Sequence, residues 1–213
     1  MKTKPILIKL ALTIFTYLTV ALSMTALAAE QAPLSASASS HTATAIFAGG
    51  CYWCVEADFE KLPGVIGAES GFTAGKVVNP TYEQVSAGWT GHAEAVRVTY
   101  DPAKVSYAQL VDYFWHHIDP TVKDRQFCDV GTQYRTGIYW QSEGEHQVSE
   151  SSRDALLKSG KLSKIYTEII AATEFYPAEE YHQDYYKKNP IRYAYYRKGC
   201  GRDARVHDVW GGN

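Results

Sequence analysis

The sequence predicts an α+β (α/β) fold, a two-layer sandwich in which helices cover a mixed sheet, with a long irregular C-terminal segment. Two observations carry that expectation. Stretches of β-branched or alternating residues take turns along the chain with stretches whose apolar side chains recur every three or four residues, the periods of strand and helix respectively. About four strands and at least three helices then suit one sheet whose exposed apolar face is closed by helices. No internal repeat or change of composition divides the chain, so a single globular domain is the expectation.

The domain does not start at residue 1. Lys2, Lys4 and Lys9 make a basic beginning, an uncharged and largely apolar run covers 10–29, and Ala26-Leu27-Ala28 offers small residues where a signal peptidase needs them. That layout is a secretory signal, expected to be cut after Ala28, and it predicts an exported protein in a periplasm or outside the cell. The competing reading is a retained anchor, since twenty uncharged residues can span a hydrocarbon core; the protein would then touch a membrane. Residues 29–43, rich in Ala and Ser with no apolar period, read as a flexible linker, which leaves the domain at 44–213.

Within the domain, 42–48 is β-prone and runs into Gly49-Gly50, after which 51–62 carries helically spaced apolar residues until Pro63-Gly64 stops it. Residues 65–72 resume an extended pattern, a polar loop fills 75–80, and 82–86 forms a short helix. A strand follows at 92–100, ended by Asp101-Pro102, and Ser106 opens a helix to residue 117 with Leu110, Tyr113, Phe114 and His117 on one side. Further strands are expected at 137–140 and around Glu168-Ile169-Ile170, separated by a polar helix at 143–159 that Gly160 closes. A last short helix is expected at 181–188, and everything after Pro190 is rich in Tyr, Arg and Gly without a clear period.

The whole chain has a formal charge of −2, and loss of the three leader lysines leaves −5. That mildly acidic balance argues against a nucleic-acid surface. Four cysteines in an exported protein would ordinarily make two structural bridges, but Cys51, Cys54, Cys128 and Cys200 follow no regular framework. A lone Cys-x-x-Cys without a matching second pair is a weak zinc signal, so no metal or other cofactor is expected. Gly-Gly-Cys-Tyr-Trp-Cys at 49–54 instead places Cys51 at a helix start after a glycine turn, where free N–H groups and the helix dipole favour a thiolate. Cys54, one helical turn on, reads either as a buried small residue or as a second reactive thiol.

Four segments taken together resemble the A-type peptide methionine sulfoxide reductases: Gly-Cys-Tyr-Trp-Cys at 50–54, Thr-Gly-His-Ala-Glu at 90–94, Asp-Val-Gly-Thr-Gln-Tyr-Arg at 129–135, and Tyr-His-Gln at 181–183 with Asn189-Pro190. The likeness covers about 45–211. It implies reduction of the S epimer of methionine sulfoxide, free or in proteins, with Cys51 as nucleophile and Glu94 as the acid that protonates the sulfoxide oxygen. Tyr82 and Tyr134 correspond to the phenols that hydrogen-bond that oxygen, and Asp129 to a second carboxylate that organises polarity and water. Tyr52 and Trp53 would hold the S-methyl group. Tyr52 stands where the family usually has Phe, and its hydroxyl must be solvated or paired.

The resemblance also implies regeneration. Attack by Cys51 leaves a sulfenic acid, which a second thiol can condense with. The family's mobile resolving cysteine matches Gly199-Cys200-Gly201, so a Cys51–Cys200 disulfide is expected, reduced from outside by a thioredoxin-like dithiol. No cysteine follows Cys200, which makes a second relay disulfide at the C-terminus unexpected. The protein would work as a monomer. Two other readings stay open on the residues alone. Cys51 and Cys54 could form the working couple of a thioredoxin-type oxidoreductase, or the sixteen Tyr and five Trp could line a tethered binding module with Cys51 as a metal ligand.

Overall fold

The computed structural model describes residues 42–211; the expected signal and nearly all of the expected linker lie outside the described residues. Eight strands and seven α-helices follow in the order β1 (Ala43–Gly49), α1 (Tyr52–Phe59), β2 (Val65–Thr73), α2 (Tyr82–Ser86), β3 (Ala93–Tyr100), α3 (Tyr107–Trp115), β4 (Arg125–Gln126), β5 (Asp129–Val130), β6 (Thr136–Trp140), α4 (Glu143–Lys158), β7 (Glu168–Ala171), β8 (Tyr176–Pro177), α5 (Tyr185–Lys188), α6 (Pro190–Gly199) and α7 (Arg202–Trp210). Six strands form one sheet in the order β7-β6-β1-β3-β2-β8, while β4 and β5 pair as a separate hairpin. Only the β6–β7 pairing is parallel. The sheet is therefore mixed, as expected, and α4 supplies the crossover that a parallel pair needs.

Period-two alternation decides which side chains meet the helices. Ala45 and Phe47 of β1, Val96 and Val98 of β3, Phe72 of β2 and Ile138 of β6 pack with Val55 and Phe59 of α1 and Leu110, Phe114 and Trp115 of α3. Phe47 stacks on both Phe59 and Phe114, with ring centroids 4.9 and 5.1 Å apart. The opposite face carries Ile46, Ala48, Ala93 and Ala95 under Tyr139 and Phe175, a thinner layer built on small residues. Glu94 shares the parity of Val96 and Val98, so the strand aims it at the helical layer. It sits opposite Phe72 of β2 in the register.

The C-terminus corrects the expectation of an irregular segment: α6 and α7 account for nearly all of it. Pro190 occupies the first turn of α6, where a missing N–H costs nothing. Apolar periodicity fails to reveal these helices because they bury a phenol and a guanidinium, Tyr193 and Arg202, and only one large apolar side chain, Trp210 at the end. The expected helix at 181–188 is likewise broken in two. Asp184 takes a left-handed conformation (φ 53°) between a 3₁₀ turn at Glu180–His182 and α5, and its amide donates to Glu56 Oε1 at 2.6 Å.

Arg202 is the anchor of this region. It is 2% exposed, donates to the carbonyls of Gly49 (3.1 Å) and His117 (2.9 Å), and faces the buried Asp58 carboxylate of α1 at 3.5 Å. Its loss would strip the Gly49 and His117 carbonyls of their donor and Asp58 Oδ2 of its nearest cation, although Arg197 would still pair with Oδ1, and removing one member of a buried charged network costs roughly 3–5 kcal/mol. Arg202→Met should therefore lower the unfolding free energy in urea by about that amount; a loss below about 1 kcal/mol would show that water replaces the guanidinium without difficulty.

Candidate active site

The turn into α1 sets the position of the nucleophile. Gly50 has φ 83°, a conformation that favours glycine, and a Cβ there would lie 2.5 Å from Cβ of Gln126. Gln126, fully buried in β4, is held by Asp119, whose amide donates to Oε1 (3.0 Å) and whose carbonyl accepts from Nε2 (2.6 Å). The β4–β5 hairpin thus rests directly on the glycine turn, and its far strand presents Asp129. Cys51 follows Gly50 as the N-terminal capping residue of α1.

Cys51, Tyr52, Trp53, Tyr82, Glu94, Asp129, Tyr134 and Tyr196 wall one small cavity of about 80 Å³. All the side chains expected at the site except Cys200 are in that wall. A wider depression of about 300 Å³, walled by Asp58, His117, Arg197, Trp210 and others, has no cysteine on it, and its Arg197 is already paired with Asp58 at 2.9 Å.

Glu94 is 2% exposed, and its Oε2 accepts from the Tyr52 amide at 3.1 Å. Burial pushes its carboxyl up to about 8, with the Asp129 and Cys54 charges adding to the shift and the Tyr52 amide opposing it. At neutral pH the group is therefore predominantly a neutral acid that can give a proton. The two phenols are fixed by backbone devices. Thr81 and Gln84 close a capping box on α2, which sets Tyr82, and Tyr134 ends a 3₁₀ turn that begins after Gly131. Gln133 Nε2 donates to Ser86 O at 3.0 Å, tying the Tyr134 turn to α2. Arg135 completes the brace by donating to Gly91 O (3.2 Å), three residues before Glu94. Burial holds both phenols above their ordinary range, Tyr82 at about 12, so both remain donors.

Three features depart from expectation. Cys51 is 6% exposed, and burial pushes its thiol up, not down, with Cys54 and Glu94 reinforcing the effect. Desolvation outweighs the helix terminus here. Cys54 is the sulfur pulled down, to about 7, by the Cys51 thiol and then by Arg202 and Arg197, against its own burial. Second, Tyr52 is 1% exposed and its hydroxyl is buried without a hydrogen-bond partner among the described residues. The ring is enclosed by Phe72, Tyr82 and His182 at centroid distances of 5.8, 6.5 and 5.3 Å, so the hydroxyl is carried by the packing of the ring. Third, Cys200 is bonded to Cys128, not to Cys51; Cys51 and Cys54 are free thiols. The reason is geometric. Cys200 closes α6 with its Cα 4.9 Å from that of Cys128 in the β4–β5 turn, within ordinary disulfide reach.

Tyr196 and Tyr185, which the sequence does not single out, and His182 of the 181–183 segment, to which it assigns no role, complete the site. Tyr196 donates to Asp129 Oδ2 at 2.7 Å and packs edge-on against Trp53 at 5.9 Å. His182 accepts from Trp53 Nε1 at 3.0 Å through Nδ1, so the ring proton sits on Nε2, and burial lowers its basicity. Trp53 is also stacked on Tyr185 at 3.7 Å. For the two tyrosines the sequence offers only the density of Tyr after residue 180.

A buried thiol beside a neutral carboxylic acid and two phenol donors is the equipment for attacking an electrophile whose oxygen must be protonated as it leaves. Comparison with known proteins agrees. Residues 43–213 match the family described as peptide methionine sulfoxide reductase. Peptide methionine sulfoxide reductase MsrA 2 of Caulobacter vibrioides is 48% identical over 88% of this chain and 95% of its own, and MsrA of Bacillus pumilus is 49% identical over 78% and 94%. Among solved structures, methionine sulfoxide reductase A of Corynebacterium diphtheriae is similar with a TM-score of 0.64 at 39% identity, covering 70% of this chain and 76% of its own. Mxr1 of Saccharomyces cerevisiae in reduced form gives 0.67 at 30%, covering 70% and 87%. On this evidence the chain belongs to the peptide methionine sulfoxide reductase family, on its A-type branch.

Proposed function

We propose that this oxidoreductase reduces the S epimer of methionine sulfoxide, in proteins or free, with Cys51 as nucleophile and Glu94 as general acid. The observation that carries the reading is the neutral Glu94 carboxyl enclosed in the same cavity of about 80 Å³ as the Cys51 sulfur. The sulfoxide oxygen would sit among Glu94, Tyr82 and Tyr134, with the S-methyl group against Tyr52 and Trp53. Asp129, hydrogen-bonded to Tyr196 in the wall of the same cavity, would serve as a polar organiser. As Cys51 attacks sulfur, Glu94 passes its proton to oxygen and the phenols stabilise the charge that remains. The hydroxyl then moves to the Cys51 sulfur as the bond between that sulfur and the substrate breaks, which gives methionine and a Cys51 sulfenic acid, and the proton released by the Cys51 thiol restores Glu94.

Regeneration takes two electrons from an external thioredoxin-like dithiol, and the chemistry calls for no metal or organic cofactor. The basic and apolar layout of 1–28 supports export to a periplasm or beyond, with repair of oxidised proteins there as the role.

Separate assays on the two sulfoxide epimers test the reading: turnover of S and not of R is expected, and equal turnover of both would refute it. Cys51→Ser should abolish methionine formation on the S epimer, because an alcohol cannot replace the sulfur nucleophile; residual reduction above background would remove Cys51 from its role.

Glu94 works only while protonated, and its carboxyl titrates at about 8. The single-turnover rate should therefore stay high below that pH and fall as pH rises through it. Glu94→Gln should slow the step by about 10²- to 10⁴-fold and erase that decline. A wild-type profile still flat at pH 9.5, or a mutant within a few-fold of wild type, would assign the proton to another donor.

A further inference from the structure

The four cysteines fall into two pairs of opposite character. Cys51 and Cys54 are buried and free, whereas Cys128 and Cys200 are bonded to each other, Cys128 exposed and Cys200 half-buried. Both members of the outer pair sit on elements that wall the Cys51 cavity. Cys128 immediately precedes Asp129, and Cys200 follows Tyr196 by one helical turn on α6; Asp129 and Tyr196 are themselves hydrogen-bonded. Cys200 also edges a separate open groove of about 360 Å³, with Val122, Phe127, Arg125 and Arg205. The outer bond thus touches solvent on one side and the elements of the active site on the other.

We propose that Cys128 is a redox-active residue of the catalytic cycle, the terminal thiol that takes Cys200 away from Cys51 and holds the oxidising equivalent as the Cys128–Cys200 disulfide until an external dithiol reduces it. The inference rests on the sulfoxide reading above. The steps balance. Methionine sulfoxide and the Cys51 thiol give methionine and Cys51 sulfenic acid. The Cys200 thiol condenses with that acid, forming the Cys51–Cys200 bond and releasing water. The Cys128 thiolate then attacks the Cys200 sulfur, the Cys51–Cys200 bond breaks, and Cys51 leaves as a thiolate that regains a proton. Two electrons have moved from the outer thiols to the sulfoxide, and Cys51 is ready again.

Two structural facts favour this route. Cys200 lies between Gly199 and Gly201 at the junction of α6 and α7, and a Cβ on either glycine would meet nothing within 4 Å, so no packed side chain at these flanks opposes a change of backbone there. The sulfurs also differ in access. An external protein dithiol meets a bond involving the exposed Cys128, whereas Cys51 is 6% and Cys54 2% exposed. Passing the oxidation outward lets a macromolecular reductant work without entering the cavity. It accounts for the bond that the structure holds as a state of the cycle, downstream of the expected Cys51–Cys200 bond.

The count of methionine formed without any reductant tests the relay. Fully reduced protein, freed of dithiothreitol under anaerobic conditions, is mixed with excess S-sulfoxide, and the amplitude is read at completion in a Cys54→Ala background so that only Cys51, Cys128 and Cys200 can exchange. Two equivalents per chain are expected, because relay to Cys128 frees Cys51 for a second sulfoxide. Adding Cys128→Ser should halve the amplitude to one, with Cys51 locked to Cys200. In the wild-type chain, peptide mapping after one equivalent should find Cys128 joined to Cys200, an arm that holds even if the buried Cys54 change impairs folding. Two equivalents from the Cys128→Ser protein, or a Cys51–Cys200 bond as the stable wild-type product, would overturn the relay. No methionine from any of these proteins would remove the sulfoxide reading and the relay together.

Discussion

The hydrogen bond from the Tyr52 amide to the Glu94 carboxyl is the contact on which the site depends. It joins the first turn of α1 to the start of β3, and so sets the distance between a nucleophile on one element and an acid on the other. Two demands conflict at this point. The acid must be dry to keep its proton near neutrality, and a dry carboxyl needs a partner. A backbone N–H at a helix N-terminus satisfies one oxygen without supplying a full positive charge, which would have driven the group to ionise. An arginine in the same place would have stabilised the fold and removed the acid.

The remainder of the site is a set of braces that hold this pair in a narrow cavity. Gln126 packs against the bare Cα of Gly50, Gln133 links the Tyr134 turn to α2, and Arg135 reaches back to Gly91. These contacts explain why the segments at 90–94 and 129–135 occur together with the cysteine motif: each supplies one reacting group and one structural tie to the next segment. Trp53, held between Tyr185 and His182, extends the same logic to the C-terminal half.

The sheet and its helices were legible in the sequence wherever burial is apolar. Period two at 93–100 and the three-four spacing at 106–117 are both direct consequences of a one-sided core, and the strand parity that buries Val96 also aims Glu94. Legibility ended where burial is polar. Tyr193, Arg197 and Arg202 lie inside through hydrogen bonds and ion pairs that no hydrophobic period records, so α6 and α7 were missed. The direction of the Cys51 shift is hidden for a related reason: a helix terminus can be read from a glycine turn, but the loss of water around the sulfur comes with Tyr185 and Tyr193, which pack in the same cluster from more than 130 residues downstream. The Cys128–Cys200 pairing required the same docking of α6 on the β4–β5 turn.

That pairing spans a sequence separation of 72 residues. In the chain-entropy description, closing a loop of that size withholds roughly 4 kcal/mol of disorder from the unfolded chain, a large share of the stability an ordinary domain possesses. A bond opened and remade with each turnover would make resistance to unfolding oscillate with the supply of reductant: the enzyme would be toughest when starved of electrons and full of oxidising equivalents, and softest when well fed. Oxidative stress would then find the repair protein in its more durable form.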